Sequence, residues 1–534
     1  MGWGILEPRS GGLPLGTVRL GEDDKDNDFS EGQQGLKKSG NIVLQPQPSD
    51  DPNDPLNWSK SMKYLHFFVI AFGAAATNGL ATMVTPGIVP MVEKFKTTEA
   101  DISSWILTAP TFWTSLAGFF VVAGADVWGR RPFYLGGIAL LAVFNYMGYL
   151  AQDFISFTAA RTLAGFAGAP LFQLMTATLA DIFYVHERGT LIALSTLALN
   201  AGGQIAQIIS GFVIDAMGVS ASFGFVAIVF SVLFPAAYFA LLESAYFTPR
   251  ISSGFKSAKA AAAGFDLEED AYPASKEGLE LPAKRTYGQN LAVARGRISD
   301  MGFWRGVSKP LGMITSPIIA YSALLSTQLL FLLAGVPTLI SIVLGAEPYS
   351  LSPSAIGLTN LPLFAVALVG GPAMGYVSDA LTRYMARTNG GLAEPEFRLI
   401  SLAFTVPVTA VGLIGLAQAV TEAQPLPWLL VWNSITNLGT VGTTQISITY
   451  VVDCYPKQSA QAFITVNGIA ALVSFVGTGP VVEALGTLGA KPVLGALAGA
   501  TIGMAVLAIP MYIWGKRMRS WYSRAAWAQK FLTI

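Results

Sequence analysis

Twelve apolar runs decide what this chain can become. They fall at roughly 64–91, 102–123, 132–150, 154–181, 189–216 and 222–242, then at 312–345, 356–379, 399–420, 427–452, 459–486 and 492–514. A helix needs about 20 apolar residues to cross the hydrocarbon core of a bilayer. In lipid the backbone must satisfy its own N–H and C=O groups, so runs of this length become helices. A long polar gap after the sixth run divides the twelve into two groups. Composition agrees: 52% of residues are hydrophobic and 12% charged, against about 25% charged in ordinary soluble domains. The expected fold is an all-α polytopic membrane protein with twelve transmembrane helices in two six-helix halves.

The expected segments are a mostly disordered cytoplasmic N-tail (1–60), an N-terminal half (61–243), a cytoplasmic central loop (244–310), a C-terminal half (311–515) and a basic cytoplasmic C-tail (516–534). With both termini inside, only Lys94, Lys96 and Lys491 fall on the outer side and Arg161 within a span. Every other lysine and arginine lies on the cytoplasmic side, which fixes the orientation and supports an even number of spans. The central loop could carry a surface helix around 288–307, with Phe303 and Trp304 at the membrane interface.

Net charge is zero, which disfavours nucleic acid as a partner. One cysteine, Cys454, excludes an intrachain disulfide, and with two histidines it leaves too few soft ligands for a metal site. Residues 1–60 lack the apolar stretch of a cleavable signal peptide.

Between the second and third runs stands Gly124-Ala-Asp-Val-Trp-Gly-Arg-Arg-Pro132. A connection this short turns within the interface. Gly129 gives the backbone freedom, and Pro132 suits the first turn of the next helix. Asp126, Arg130 and Arg131 are thereby gathered where opposite charges can latch helix ends. The Asp-to-Arg spacing recurs as Asp379 and Arg383, so the same latch is expected in the second half.

The pattern Asp-x-x-Gly-Arg-Arg after the second span resembles the signature loop of the major facilitator superfamily. The family's glycine four residues before the aspartate is Val122 in the first copy and Gly375 in the second. Further motifs follow in order: Asp54-Pro-Leu-Asn-Trp-Ser59, His186-Glu-Arg-Gly189, Glu347-Pro-Tyr-Ser-Leu-Ser352, Glu394-Pro-Glu-Phe-Arg-Leu399 and Thr449-Tyr-Val-Val-Asp-Cys-Tyr455. Together they resemble the fungal twelve-span drug:proton antiporter group, in particular its polyamine and histidinol permease-like branch. In span five the group's Gly-x-x-x-Gly-Pro-x-x-Gly-Gly motif is departed from: Gly202 is followed by Ala206, Gln207, Ser210 and Gly211.

Polar residues in a span should face protein or water. Asn78, Thr82 and Thr85 share a face of span one. Ser104, Thr108, Thr111, Ser115 and Gly118 do so on span two, and Asn200, Gln204, Gln207, Gly211 and Asp215 on span five. Span ten carries Asn433, Asn437, Thr440, Thr444 and Ser447. Either these stripes line a cavity or they hydrogen-bond packed helices together. Asn78, Asn200, Gln204, Gln207, Asn433 and Asn437 are taken as the substrate cavity. Arg161 lies inside span four, roughly 9–11 Å from its outer end. Its surroundings, Arg161-Thr-Leu-Ala-Gly165-Phe-Ala-Gly168, resemble the superfamily's span-four arginine motif, which implies a role in proton coupling. The alternative is an arginine that caps carbonyls of a broken neighbouring helix.

The resemblance implies a secondary active transporter, not an enzyme: a monomer in the plasma membrane that alternates access to a midplane site. Its cargo would be a small organic molecule, such as a secondary metabolite, toxin or drug. It would be exported by a proton gradient with no bound cofactor. The alternative is proton-coupled import of a polyamine or amino-acid-like cation, with Asp453 or Asp181 as counter-charge. A signalling nutrient receptor fits less well because the N-tail (1–60) carries no recognisable domain, and an intramembrane enzyme because no catalytic constellation lies at membrane depth.

Overall fold

In a computed structural model the described residues are 3–7, 14, 16–19, 37–39, 42–44, 46, 48–246, 283–456, 458–525 and 528–529. Eleven helices among them are long and apolar enough to cross a membrane. Spans one to six are Lys60–Phe95, Glu99–Trp128, Arg131–Leu150, Phe154–Ile182, Thr190–Met217 and Val219–Ala240. Spans seven, eight, nine, eleven and twelve are Pro317–Gly345, Pro353–Thr388, Pro395–Thr421, Ser459–Leu488 and Ala490–Arg524. Span ten, Leu426–Cys454, is a continuous helix of 29 residues. It falls outside the apolar set because Asn433, Asn437 and its many threonines dilute the hydropathy.

Proline and polar residues break several spans. Span one is helical over Lys60–Thr82, tightens into a 3-10 turn at Thr85–Gly87 around Pro86, and resumes at Ile88–Phe95. Span two opens with a π-helical stretch, Ile102–Thr108, just before Pro110. These two irregular stretches free backbone carbonyls at membrane depth, where each needs a donor.

The packing plan of the first half repeats in the second. Span one packs on five, two on four, three on four and three on six; seven packs on eleven, eight on ten, nine on ten and nine on twelve. Each pair recurs six helices later, which is the two-half architecture. The halves meet along two flanks, five against eight and two against eleven.

The described parts of the terminal segments and of the basic loops share one end of the bundle, the basic end. Near the opposite end the halves are sealed by close approaches. A Cβ on Gly211 would fall 2.6 Å from the Pro353 carbonyl oxygen, and one on Gly357 2.8 Å from that of Gln207. The Ser341 hydroxyl donates to the Thr85 carbonyl at 2.6 Å, and the Trp105 ring meets Phe475 at 5.3 Å.

Three expected boundaries change. Span eight runs on to Thr388 rather than ending near 379. The last helix continues to Arg524, so the C-tail expected from 516 begins inside it; Lys516 and Arg519 extend the helix because they meet buried acids. Parts of 1–60, expected to be mostly disordered, are packed: Ile5 is buried against Met385, Ala386 and Phe397, and Val18–Arg19 pairs with Leu392–Ala393. Of the central loop, 247–282 lies outside the described residues; Phe303–Gly312 is a helix.

Candidate transport site and latches

Gly129 adopts φ +92°, and any side chain there would collide with the Glu243 carboxylate. That carboxylate accepts the backbone N–H groups of Arg130 at 2.9 Å and Arg131 at 3.1 Å. It therefore caps the start of span three, where unpaired N–H groups and the helix dipole favour an anion. The Arg131 guanidinium donates to Tyr238 O at 2.8 Å and Asn290 O at 2.9 Å, tying span six and the central loop to the turn.

The latch differs from the one expected. Arg130 pairs with Asp181 at 2.8 Å, at the end of span four. Asp126 lies close enough to feel Arg130 and Lys309 but hydrogen-bonds neither. The i, i+4 spacing needs a continuous helix, and Gly129 ends it first. In the second half Asp379 pairs with Arg398 at 2.7 Å, and Arg398 also holds Asp453. Arg383 is exposed and makes no ion pair among the described residues. The structural counterpart of Arg130 is thus Arg398, each at the start of a peripheral helix. Asp181 and Asp453, at the ends of spans four and ten, correspond likewise.

Behind the second latch lies a buried charge cluster that sequence reasoning missed. Arg519 donates to Glu396 at 3.0 and 2.7 Å and to Glu394 at 3.1 Å; Lys516 pairs with Glu394 at 2.7 Å and with Glu7 at 2.8 Å. In the sequence Glu394-Pro-Glu-Phe-Arg reads only as a motif, and Lys516 and Arg519 only as basic residues of the C-terminal stretch. Their meeting needed the tertiary structure.

Arg161 is 1% exposed. Its Nε and Nη2 donate to Ile106 O at 3.0 and 2.7 Å, its Nη1 to Leu80 O at 2.9 Å and its Nη2 to Ala81 O at 3.4 Å. The partners are the carbonyls freed by the span-one break and the span-two π stretch. No carboxylate is among them, so the capping alternative describes this geometry.

The expected cavity residues divide. The Asn78 amide donates to Leu199 O at 2.7 Å, in the seam between spans one and five, so it joins helices. Gln207 is 3% exposed and lies beside Gly357 of span eight. Asn200 is partly buried and Asn433 buried. Among the described residues the side-chain oxygens of Gln204, Gln207 and Asn437 are buried with no donor, and the Trp113 indole N–H is buried with no acceptor. Trp113 stacks on Phe166 at 5.0 Å, and Phe112 stacks on Phe475 of the other half at 5.5 Å. This aromatic row across the inter-half flank was also missed. Its members come from three spans with no shared spacing.

At the basic end, burial and the neighbouring Arg305 lower the Lys309 pKa, with Asp126 acting in the opposite sense. Lys309 belongs to the Phe303–Gly312 helix, so an amphipathic segment of the central loop stands beside the first latch.

Comparison with known proteins places this geometry. The chain is 25% identical to Protein HOL1 of Saccharomyces cerevisiae over 91% of its own length and 92% of that protein's. It is 25% identical over 40% of its length, and 46% of the other chain, to a protein of Gibberella fujikuroi named the Trichosetin biosynthesis cluster MFS transporter. Its fold is similar to a crystal structure of a mutant of the peptide transporter POT in complex with sulfate, with TM-score 0.59, 12% identity, and coverage of 87% of this chain and 96% of that one. The profile described as Major Facilitator Superfamily matches residues 70–393. The chain is a transporter-type, multi-pass membrane protein that belongs to the major facilitator superfamily.

Proposed function

We propose that the chain exports a small neutral or amphipathic organic molecule, driven by a proton gradient, with its basic end in the cytoplasm and the plasma membrane as its site. One observation carries the reading: Gln204, Gln207 and Asn437 hold buried amide oxygens that no group among the described residues meets. Buried acceptors left unmet are costly, and a cargo hydroxyl, amide or phenol would supply the donor. Among the described residues no carboxylate lies in the middle of a span, so a polycation would find no counter-charge there. Export is supported by the likeness to a transporter named for a biosynthesis cluster.

In this reading the two halves rock about the polar residues of spans five and ten. The sealed flanks near Gly211, Gly357 and Ser341 are the contacts that must part. The proton binds among the carboxylates gathered by Arg398, which are Asp379 and Asp453. Arg161 holds spans one and two in shape, and a guanidinium does not release its proton in this pH range. Inside-out vesicles with an imposed pH gradient test the proposal. Accumulation of neutral or amphipathic metabolites, abolished by a protonophore, is expected. Gradient-driven movement of a polyamine in the opposite direction would replace export with import.

A further inference from the structure

The helix Phe303–Gly312 has three sectors rather than two. Val307 and Pro310 are buried. Gly306 approaches Ala123 of span two closely, where a Cβ would fall 2.9 Å from the alanine's own. Phe303 packs on Trp128 with ring centroids 5.4 Å apart, and the Thr465 hydroxyl of span eleven donates to Pro310 O at 2.7 Å. This seam fixes the helix across spans two and eleven, one from each half, at the basic end. On one flank, at roughly 100° per residue, Trp304 and Leu311 fall within roughly 20° of each other. They are 72% and 49% exposed. The other flank presents Arg305 and Lys309. Arg305 is exposed, and its guanidinium makes no hydrogen bond or ion pair among the described residues. Residues 283–312 carry Lys284, Arg285, Arg295, Arg297, Arg305 and Lys309 against the single acid Asp300.

A helix with one face on protein, an apolar flank with a tryptophan and a basic flank has one comfortable site. That is the membrane–water interface, axis in the plane. We infer that Phe303–Gly312 is an in-plane docking surface for anionic phospholipids, with Trp304 and Leu311 in the acyl boundary and Arg305 and Lys309 on the headgroups. Charge complementarity selects the partner. A zwitterionic surface offers the apolar flank the same burial but gives the basic flank no net attraction, whereas anionic headgroups attract each nearby lysine or arginine. The helix touches both halves, its Phe303 packs on Trp128 beside Gly129, and the segment leading into it joins the same turn, where Ile298 N donates to Val127 O at 2.8 Å. An anionic leaflet therefore bears on the first latch and on the flank where the halves meet. The inference uses only the placement of the basic end at a membrane surface, not the cargo or the direction of transport.

The test is native mass spectrometry of the full chain released from vesicles of phosphatidylcholine doped with phosphatidylserine. The parent is expected to retain phosphatidylserine. The double variant Arg305→Gln/Lys309→Gln should lose roughly tenfold or more of that binding with phosphatidylcholine retention unchanged. In a Cys454→Ala background, a polarity-sensitive fluorophore on Ser308→Cys should report greater burial when phosphatidylserine is present. Each sample is checked for an unshifted thermal midpoint, so misfolding is scored separately. Equal phosphatidylserine retention by parent and double variant overturns the inference, as does a fluorophore signal indifferent to phosphatidylserine. Neither result touches the export reading, which vesicle accumulation tests by itself.

Discussion

The guanidinium of Arg161 grips the carbonyl oxygen of Ile106 from two nitrogens, Nε at 3.0 Å and Nη2 at 2.7 Å. The same side chain reaches Leu80 and Ala81 across span one. One residue thus satisfies the loose carbonyls of two irregular helices. Arg161→Ala leaves them without a donor, at about 1–3 kcal/mol for each buried unmet group. We expect a markedly lower thermal midpoint and loss of transport together. Arg161→Lys keeps charge without the planar fork and should recover part of both. Unchanged stability with loss only of gradient-driven accumulation would return the residue to a proton-coupling role.

Arg398, not Arg383, is expected to serve the second latch. Arg398→Ala releases two carboxylates, Asp379 and Asp453, and should slow turnover severely while cargo affinity stays within a few-fold. Arg383→Ala should leave both near the parent, since an unpaired surface change is worth about 0.5 kcal/mol or less. Rates from the two variants in vesicles decide. A severe Arg383→Ala defect beside a mild Arg398→Ala one would reverse the assignment.

The Gly211–Gly357 approach should control closure. Gly357→Leu places a side chain where Gln207 O already stands 2.8 Å from an ideal Cβ, so the flank between spans five and eight must part. In a Cys454→Ala background, a cysteine at Ser341 should become more reactive toward an impermeant thiol reagent applied from the sealed end. Reactivity equal to that in the Gly357 parent would show that the flank yields elsewhere.

The unmet amides should be reachable by solvent during the cycle. Cysteines at Gln204 and Asn437 should react with a small polar thiol reagent, and cargo should protect them. Gln204→Leu and Asn437→Leu should weaken cargo binding by about 1 kcal/mol each, the scale of one neutral hydrogen bond, with thermal midpoints held or raised. Complete protection in every transport state would make them contacts between helices.

The expected membrane architecture was legible because lipid enforces a simple rule on length and polarity. Even span ten, whose hydropathy Asn433, Asn437 and its threonines dilute, reads in the sequence as the apolar run 427–452. The turn at Gly129 was legible for the same reason: a short connection has few conformations. The ion pairs were not. Asp126 and Arg130 are four apart in sequence, yet the chain turns between them, and Asp379 and Arg383 share a helix without pairing. What selects Asp181 and Arg398 is the approach of different helices, which spacing does not encode. The stripes were ambiguous by nature, because Asn78 bonding Leu199 and Gln204 left unmet look identical in sequence.

The ion pair between Glu7 and Lys516 has its own consequence for how the protein is made. Its partners are 509 positions apart, and Ile5 likewise waits for the ends of spans eight and nine. The segment around Glu7 docks fully only after the helix that carries Lys516 has been synthesised. A chain that lacks span twelve offers Glu7 no Lys516 and the Leu6 N–H no Ile513 carbonyl, so this segment stays only partly docked. Such a half-docked segment is a natural handle for quality control.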